Sequence, residues 1–362
     1  MRILWLAAAD ARGHLMRAHL VEKRLARSGL RVDVMTTSEE GRAFLAALGT
    51  PARLLSSHYR VAFDDRQNMA RARTEACILK YLFAPTRGAT DLARLGRLAL
   101  GYRYVVNDFH PLLLLAGSAT GFPPVVHVYG ENLFRAIEHH LDDRAPAIVA
   151  DRYSALVRSL RDRAFARIEH TLDVPIPYGE ATSATSFRLP PIVAAPKVCR
   201  PERPLAAVYL NPHFRDPTVA AWIEAALAER GLAMHAVGEG FAARPGWRAY
   251  DPHFVDAVAV AEVLVSAPGM GAVALSRYCG TPLWALVTDQ PEQRDNLRFL
   301  RPPSRAVRLG EPLFSIPPPH PPLMGGEVIR AVQDRWAEVL MHLALCTPTR
   351  RRRAAFVHKE SV

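Results

Sequence analysis

The sequence has few cysteines and few lysines for its 362 residues. Its four cysteines are far apart and no two form a C-x-x-C pair, which argues against a disulfide framework and against a zinc site. No stretch approaches about 18 uninterrupted apolar residues, so no membrane-spanning helix is predicted. The short apolar start reads as a strand rather than a signal peptide, because Asp10, Arg12 and His14 follow it at once. We therefore expect a cytoplasmic protein.

The positive charge comes almost entirely from arginine. The net charge of +11 favours anionic partners, although high arginine with few lysines is also typical of a biased genome. The arginines are spread along the chain without an aromatic–basic motif, so no nucleic-acid partner is expected. Arg350–Arg353 lie in a basic tail, which is either a solvated tail or an anchor on the inner face of a membrane.

Buried strands and amphipathic helices alternate along both halves of the chain. Strands are predicted at Arg2–Ala9 and Arg31–Thr36, each followed by a helix that a glycine ends. The same alternation restarts at Ala206 after a proline-rich segment, which neither a helix nor a central strand tolerates. We predict an α/β protein with two Rossmann-like, doubly wound parallel-sheet domains facing across a cleft. Its predicted parts are domains at 1–188 and 205–346, a linker at 189–204 and the tail at 347–362.

Two segments of the first half are harder to assign. Ser56–Arg73 is polar and irregular, and we expect a loop that covers the cleft. Arg152–Thr171 has arginines on one face, and we expect one long helix there.

The most informative stretch is Val263–Leu300. A buried strand is followed by a turn with Gly269 and Gly271, then by a helix that Gly280 ends. Glycines in such a turn let the backbone approach a ligand, and the amide N–H groups of a helix start suit a phosphate. The next strand delivers a polar cluster, where open parallel sheets bind ligands.

His14 is a candidate general base. It follows the first strand directly, and a turn there places its imidazole at the mouth of the cleft. Transfer to a hydroxyl group needs a base, and the ordinary pKa of histidine suits that role. Asp108 ends another strand and can orient the second ring nitrogen. His110 is the rival base, and Arg12 and Arg17 could assist a diphosphate.

Three motifs, Pro268–Gly271, Gly280–Pro282 and Glu292–Asn296, resemble the donor half of GT-B nucleotide-sugar glycosyltransferases. The resemblance is to the family 28-like branch, which is related to the peptidoglycan GlcNAc transferase and to bacterial proteins of unknown substrate. It implies that the turn holds a diphosphate, that Glu292 and Gln293 face sugar hydroxyls, and that His14 and Asp108 form a dyad. The donor-binding residues are then Ser266, Pro268, Gly269, Met270, Gly271, Glu292, Gln293, Asn296 and Asn211, with Gly13 and Glu131 on the acceptor side.

One position departs from the family pattern. Many members carry a Glu five residues before the Gly of Gly-x-Pro, where it binds the ribose diol. That position is Leu275 here, which accepts no hydrogen bond. The donor is therefore bound differently, or the activity is weakened or lost.

The predicted activity is inverting sugar transfer, with no metal and no cofactor, from a UDP- or dTDP-sugar to a hydroxyl acceptor. The alternative is an inactive GT-B protein that binds a nucleotide-sugar or a partner. A nucleotide-sugar 2-epimerase shares the architecture but needs several cleft carboxylates, which the sequence does not place.

Overall fold

The computed structural model describes residues 1–56, 61–83, 86–116, 122–131, 133, 135, 147–197, 204–308 and 326–347. Residues 198–203 of the predicted linker and Arg350–Arg353 of the tail lie outside this range. The described residues form two sheets, one in each half of the chain.

The first sheet has eight strands in the order β3-β2-β1-β4-β5-β6-β8-β7. They are β1 (Arg2–Ala7), β2 (Arg31–Thr36), β3 (Ala52–Leu54), β4 (Val105–Asp108), β5 (Val125–Gly130), β6 (Ala166–His170), β7 (Glu180–Ser183) and β8 (Ser186–Leu189). All neighbours are parallel except β7 and β8. The strand order reverses between β1 and β4, as in a doubly wound sheet.

The second sheet has six parallel strands in the order β11-β10-β9-β12-β13-β14. They are β9 (Leu205–Leu210), β10 (Ala233–Gly238), β11 (Trp247–Arg248), β12 (Val263–Ser266), β13 (Leu283–Leu286) and β14 (Arg305–Val307). Every residue of β12 and β13 is buried, because helices cover both faces of the sheet.

Helices connect the strands. In the first half they are α1 (Arg12–Leu25), α2 (Glu39–Ala47), α3 (Arg71–Phe83), α4 (Arg87–Ala99), α5 (Pro111–Ala116) and α6 (Ala147–Asp162). In the second half they are α7 (Pro217–Ala228), α8 (Phe254–Val260), α9 (Met270–Cys279), α10 (Pro291–Asn296) and α11 (Gly326–Cys346). No helix among the described residues has the length and apolarity needed to cross a bilayer.

The expectation of one long helix over Arg152–Thr171 is wrong. Helix α6 ends at Asp162, and Ala166–His170 is strand β6 between β5 and β8. Its side chains alternate between buried and half-buried, which is the period of a strand rather than of a helix. The hairpin of β7 and β8 that follows was not predicted either.

Helix α11, the last helix of the predicted range 205–346, packs against the first half of the chain. Its apolar face enters the core of the first sheet. Trp336 is fully buried there and donates its indole N–H to the carbonyl of Pro190 at 2.8 Å. The hydroxyl of Tyr104 in turn donates to the carbonyl of Leu340 at 2.8 Å. The helix therefore ties the end of the chain to the first half.

Candidate active site

His14 and Asp108 meet at the carboxyl ends of two neighbouring strands. β1 and β4 are paired in parallel, so the turns that follow them lie side by side. His14 lies in the first turn of α1, and Asp108 is the last residue of β4. The imidazole Nδ1 is 2.7 Å from Oδ1 of Asp108. The carboxylate is fully buried, and the His14 side chain keeps 18% of its surface exposed. The predicted pair is thus in hydrogen-bond contact with its histidine open to the cleft.

Two further residues fix the Asp108 carboxylate. Arg17, one turn along α1 from His14, donates Nη1 to Oδ1 at 3.1 Å, and the indole N–H of Trp5 donates to Oδ2 at 3.3 Å. Phe109 adopts a left-handed backbone conformation, with φ of 72°, and its ring stacks on the His14 imidazole at 5.6 Å. A diphosphate was one expected partner of Arg17, and the structure shows its guanidinium on Asp108.

His110 does not share this surface. Its side chain is buried edge-on against Tyr81 at a ring distance of 5.9 Å, and burial lowers its pKa to about 3. Another histidine lies nearer to the pair. His170, at the end of β6, is buried, and burial lowers its pKa well below the ordinary value, with Arg17 and His14 adding to the shift. No pattern in the sequence pointed to His170, because β6 was predicted as part of a helix.

The glycine turn after β12 begins helix α9 without a side-chain cap. Gly269 is the N-cap residue with an ordinary φ of −63°, and a Cβ atom at Gly269 or Gly271 would meet nothing within 4 Å. Neither backbone conformation nor packing therefore requires glycine at Gly269. The open space above the helix start leaves the first-turn N–H groups accessible. Ser266 and Met270 beside the turn are buried.

Several polar side chains after β13 form hydrogen bonds within the protein. Gln293 is 7% exposed, and its Oε1 accepts the hydroxyl of Thr288 at 2.5 Å. Asn296 is fully buried and donates its amide to the carbonyl of Pro268 at 2.9 Å. Asn296 therefore supports the glycine turn from below, while Glu292 on α10 is exposed.

Asn211 and Glu131 are engaged in protein contacts. The side-chain oxygen of Asn211 accepts the N–H of His213 at 3.0 Å, which shapes the turn after β9. Glu131 follows β5, accepts a bond from Thr171 and forms an ion pair with Arg298 of the second half at 2.9 Å. Glu131 therefore joins the two halves. Gly13 is exposed in the first turn of α1, with nothing within 4 Å of a Cβ.

The turn that carries His14 touches the carboxyl-end loops of the second sheet. Arg12 forms an ion pair with Glu239, directly after β10, and its guanidinium lies 4.5 Å over the ring of Phe44. The ring of His213, after β9, approaches the carbonyl of Asp10 with Nε2 at 3.0 Å. The turn that carries His14 therefore meets the loops after β9 and β10 at the cleft between the two sheets.

A short hairpin, residues 61–70, crosses this cleft, and we call it the cleft hairpin. Phe63 and Met69 pair antiparallel across it. The carboxylate of Asp64 closes its tip by accepting the N–H groups of Arg66 and Asn68 at 2.9 and 2.8 Å. A loop was predicted here; residues 57–60 lie outside the described range, and α3 begins at 71. The turn-forming run from Asp64 to Asn68 is the signal that could have indicated the hairpin.

Leu275 is half-buried on α9 and packs with the apolar cluster under that helix. It accordingly offers no acceptor at the position where relatives of the resembled family carry Glu. Across the described ranges, no three His, Cys, Asp or Glu side chains cluster as metal ligands would.

Comparison with known proteins gives structural matches only: no family model and no curated protein matches the sequence. The chain is similar to CalG4, the calicheamicin glycosyltransferase, with 20% identity, a TM-score of 0.53, and 99% of this chain and 98% of that chain covered. It is also similar to the glycotransferase of kitacinnamycin, with 16% identity, a TM-score of 0.51 and coverage of 99% and 98%. A third match is SsfS6 of Streptomyces sp. SF2575, complexed with thymidine diphosphate, with 14% identity, a TM-score of 0.52 and coverage of 95% and 96%.

These likenesses extend over nearly the whole length of both partners, and they confirm the predicted GT-B fold. The two sheets, of eight and six strands, are the two Rossmann-like halves of that fold. The narrower resemblance to the family 28-like branch stays a prediction.

Proposed function

We propose that the protein transfers a sugar from a UDP- or dTDP-sugar to a hydroxyl group, with inversion and without a metal ion. The observation that carries this proposal is the His14–Asp108 pair, held on a turn that contacts the carboxyl-end loops of the second sheet. A thymidine diphosphate complex of a protein with the same fold, SsfS6, supports a nucleotide donor.

The chemistry follows from the placement of the pair. Asp108 accepts the N–H at Nδ1 of His14, which leaves the lone pair on Nε2. Nε2 takes the proton of the acceptor hydroxyl as its oxygen attacks the anomeric carbon. The bond to the diphosphate breaks with its electron pair staying on the phosphate oxygen. A positioned base of this kind contributes about 10²–10⁴-fold in rate, and one displacement inverts the anomeric centre.

The leaving diphosphate needs stabilisation of its negative charge. The start of α9 supplies it, because Gly269 leaves the first-turn N–H groups uncapped by a side chain. A helix start carries roughly half a positive charge, and oriented N–H groups stabilise developing charge well. On this assignment Gly269 and Gly271 are glycines because the diphosphate lies where a side chain would be.

A binding protein without turnover is the second candidate, and Leu275 is the observation that favours it. The ribose diol would forgo charge-assisted hydrogen bonds of about 1.5–3 kcal/mol each. Such a protein binds the nucleotide-sugar but does not cleave the bond between the sugar and the diphosphate.

Two measurements separate these candidates. UDP, dTDP and their sugar conjugates should raise the melting temperature, since a ligand at about 100 times its Kd stabilises by about 2.7 kcal/mol. ADP and GDP serve as controls. Release of nucleoside diphosphate from the sugar conjugate, assayed with a panel of hydroxyl acceptors, then tests catalysis. Stabilisation without release supports the binding protein, and no stabilisation by any conjugate contradicts both.

His14→Ala should lower turnover by about 10²–10⁴-fold and leave nucleotide binding within a few-fold of the wild type. The matched control is His235→Ala. His235 lies 2.7 Å from Asp251 in a second His–Asp pair, on β10. Its loss should leave turnover unchanged. Equal losses in both variants, or loss of binding alone in His14→Ala, would contradict the assignment of the base.

A further inference from the structure

The cleft hairpin, residues 61–70, is fastened to the second half at two loops. On one side the N–H groups of Arg215 and Asp216 donate to the carbonyl of Asp65 at 2.8 and 3.0 Å. The guanidinium of Arg66 also donates to the Asp216 carboxylate at 2.6 Å. These contacts lie in the loop after β9.

The other fastening is the loop after β13. The N–H of Asp289 donates to the side-chain oxygen of Asn68 at 2.9 Å, and the amide of Gln290 donates to the carbonyl of Gln67 at 2.7 Å. In the second sheet β12 lies between β9 and β13. A hairpin bound to the loops after β9 and β13, the two strands that flank β12, therefore crosses the carboxyl end of β12. The turn with Gly269 begins α9 at that end.

Gln67 sits between these two fastenings and has two unfavourable features. Its backbone is left-handed, with φ of 65°, which is uncommon for residues with a side chain. Its side chain is fully buried, and neither atom of its amide has a hydrogen-bond partner among the described residues. Buried polar groups are nearly always paired, and backbone strain persists where the surrounding structure imposes it, often at ligand sites. The turn accounts for the backbone conformation, because a three-residue hairpin loop commonly ends on a left-handed residue. The unpaired amide is explained if it is held for a group from outside the chain.

The structure assigns that group by its chemistry: we propose that Gln67 binds the sugar of the donor and contributes to its selection. The amide N–H donates to one hydroxyl, and the amide oxygen accepts from a neighbouring one. A phosphate would pair with the N–H but repel the oxygen, so a hydroxyl-bearing ring fits both atoms. This inference rests on the proposed function, because it takes the turn beneath the hairpin as the diphosphate site.

The decisive variant is Gln67→Gly. Glycine adopts the left-handed conformation without strain, so this variant keeps the hairpin and is expected to match or exceed the melting temperature of the wild type. Calorimetric titration with UDP or dTDP alone should give a Kd within about twofold of the wild type. Titration with the hexose conjugate of the same nucleotide should give a Kd raised about tenfold or more, as loss of a hydrogen bond to a buried group predicts.

Arg66→Gln is the control. Arg66 neighbours Gln67 and its side chain is half exposed, so the change removes the ion pair to Asp216 and leaves the buried amide in place. Its ratio of conjugate to nucleotide affinity should equal that of the wild type. Gln67→Asn keeps an amide on a shorter side chain, and its ratio should fall between those of the wild type and Gln67→Gly.

The failures of the two proposals are distinguishable. Wild-type protein that binds neither nucleotide nor conjugate contradicts the proposed function itself. Wild-type protein that binds the conjugate, with Gln67→Gly binding it equally well, overturns only the role of Gln67. Equal losses for nucleotide and conjugate in Gln67→Gly would overturn it too, because the residue would then only shape the hairpin.

Discussion

Replacing Asp108 by Asn tests whether the buried carboxylate acts on His14. Asp108 accepts bonds from His14, Arg17 and Trp5. Because two donors share Oδ1, we expect the Asn oxygen to take that position and its NH₂ group to face Trp5. The histidine then keeps its hydrogen bond and loses the negative charge that stabilises its protonated form.

The size of the effect follows from that charge. A hydrogen bond to a charged group is worth about 1.5–3 kcal/mol and one between neutral groups about 0.5–1.5 kcal/mol, so the charge itself accounts for about 1–1.5 kcal/mol. At about 1.4 kcal/mol per factor of ten, turnover should fall by about 5- to 10-fold. The NH₂ group facing Trp5 leaves a buried donor unpaired, which costs about 1–3 kcal/mol of unfolding free energy.

Asp108→Ala should be more severe for stability. It leaves the guanidinium of Arg17, which is 10% exposed, without a counter-charge. Removing one partner of a buried pair costs about 3–5 kcal/mol. Adding Arg17→Met should restore part of this loss, because no unpaired charge then remains, with a coupling of about 0.5–3 kcal/mol.

Urea denaturation and release of nucleoside diphosphate at saturating donor measure the two effects separately. Asp251→Asn is the control, since Asp251 holds His235 at the same 2.7 Å. Asp108→Asn with turnover within twofold of the wild type and the expected loss of stability would refute the reasoning. Asp108 would then be a structural residue only.

Three further predictions concern stability and the tail. The pKa of His127 is lowered to about 4, first by burial and then by Arg161, so the unfolded chain binds more protons between pH 6.5 and 4. The free energy of unfolding should therefore fall as pH drops through that window, with His127 contributing up to about 3 kcal/mol, and urea denaturation of His127→Asn should give a flatter dependence. Trp336→Ala should cost about 3–5 kcal/mol by the same assay, because the fully buried indole fills the first core. Truncation before Arg350 separates the two interpretations of the tail: an anchor predicts loss of sedimentation with anionic vesicles, and a solvated tail predicts no change.

Each of these three predictions is contradicted by a different result. An unchanged pH dependence in His127→Asn means that other groups govern acid stability. A loss below about 1 kcal/mol in Trp336→Ala means that α11 packs loosely. Vesicle association that survives the truncation removes the anchoring role of the tail.

Elements whose bounds depend on neighbouring residues could be predicted well. Arg31–Thr36 has the predicted bounds, because apolar periodicity and the flanking residues are local. Gly29 and Gly280 end helical segments in left-handed conformations, as predicted, since glycine adopts them without strain.

The meeting of His14 with Asp108 also follows from the sequence. Both residues end or follow buried parallel strands, and the carboxyl ends of such strands share one edge of the sheet. Hydrogen-bond partners across that edge could not be predicted. Local spacing does not show whether Arg17 binds a ligand or Asp108. It likewise does not show whether Asn211 binds a ligand or the N–H of His213 in its own turn.

Local residue patterns were enough to predict the alternation of strands and helices, the two sheets, the glycine turn before α9 and the candidate base with its carboxylate. Packing between distant segments makes 166–170 a strand, places α11 on the first sheet and holds the cleft hairpin across β9 and β13. The difference lies in the range of the interactions. Propensity, periodicity and glycine conformations act over a few residues, whereas these three outcomes depend on which surfaces, far apart in sequence, bury one another.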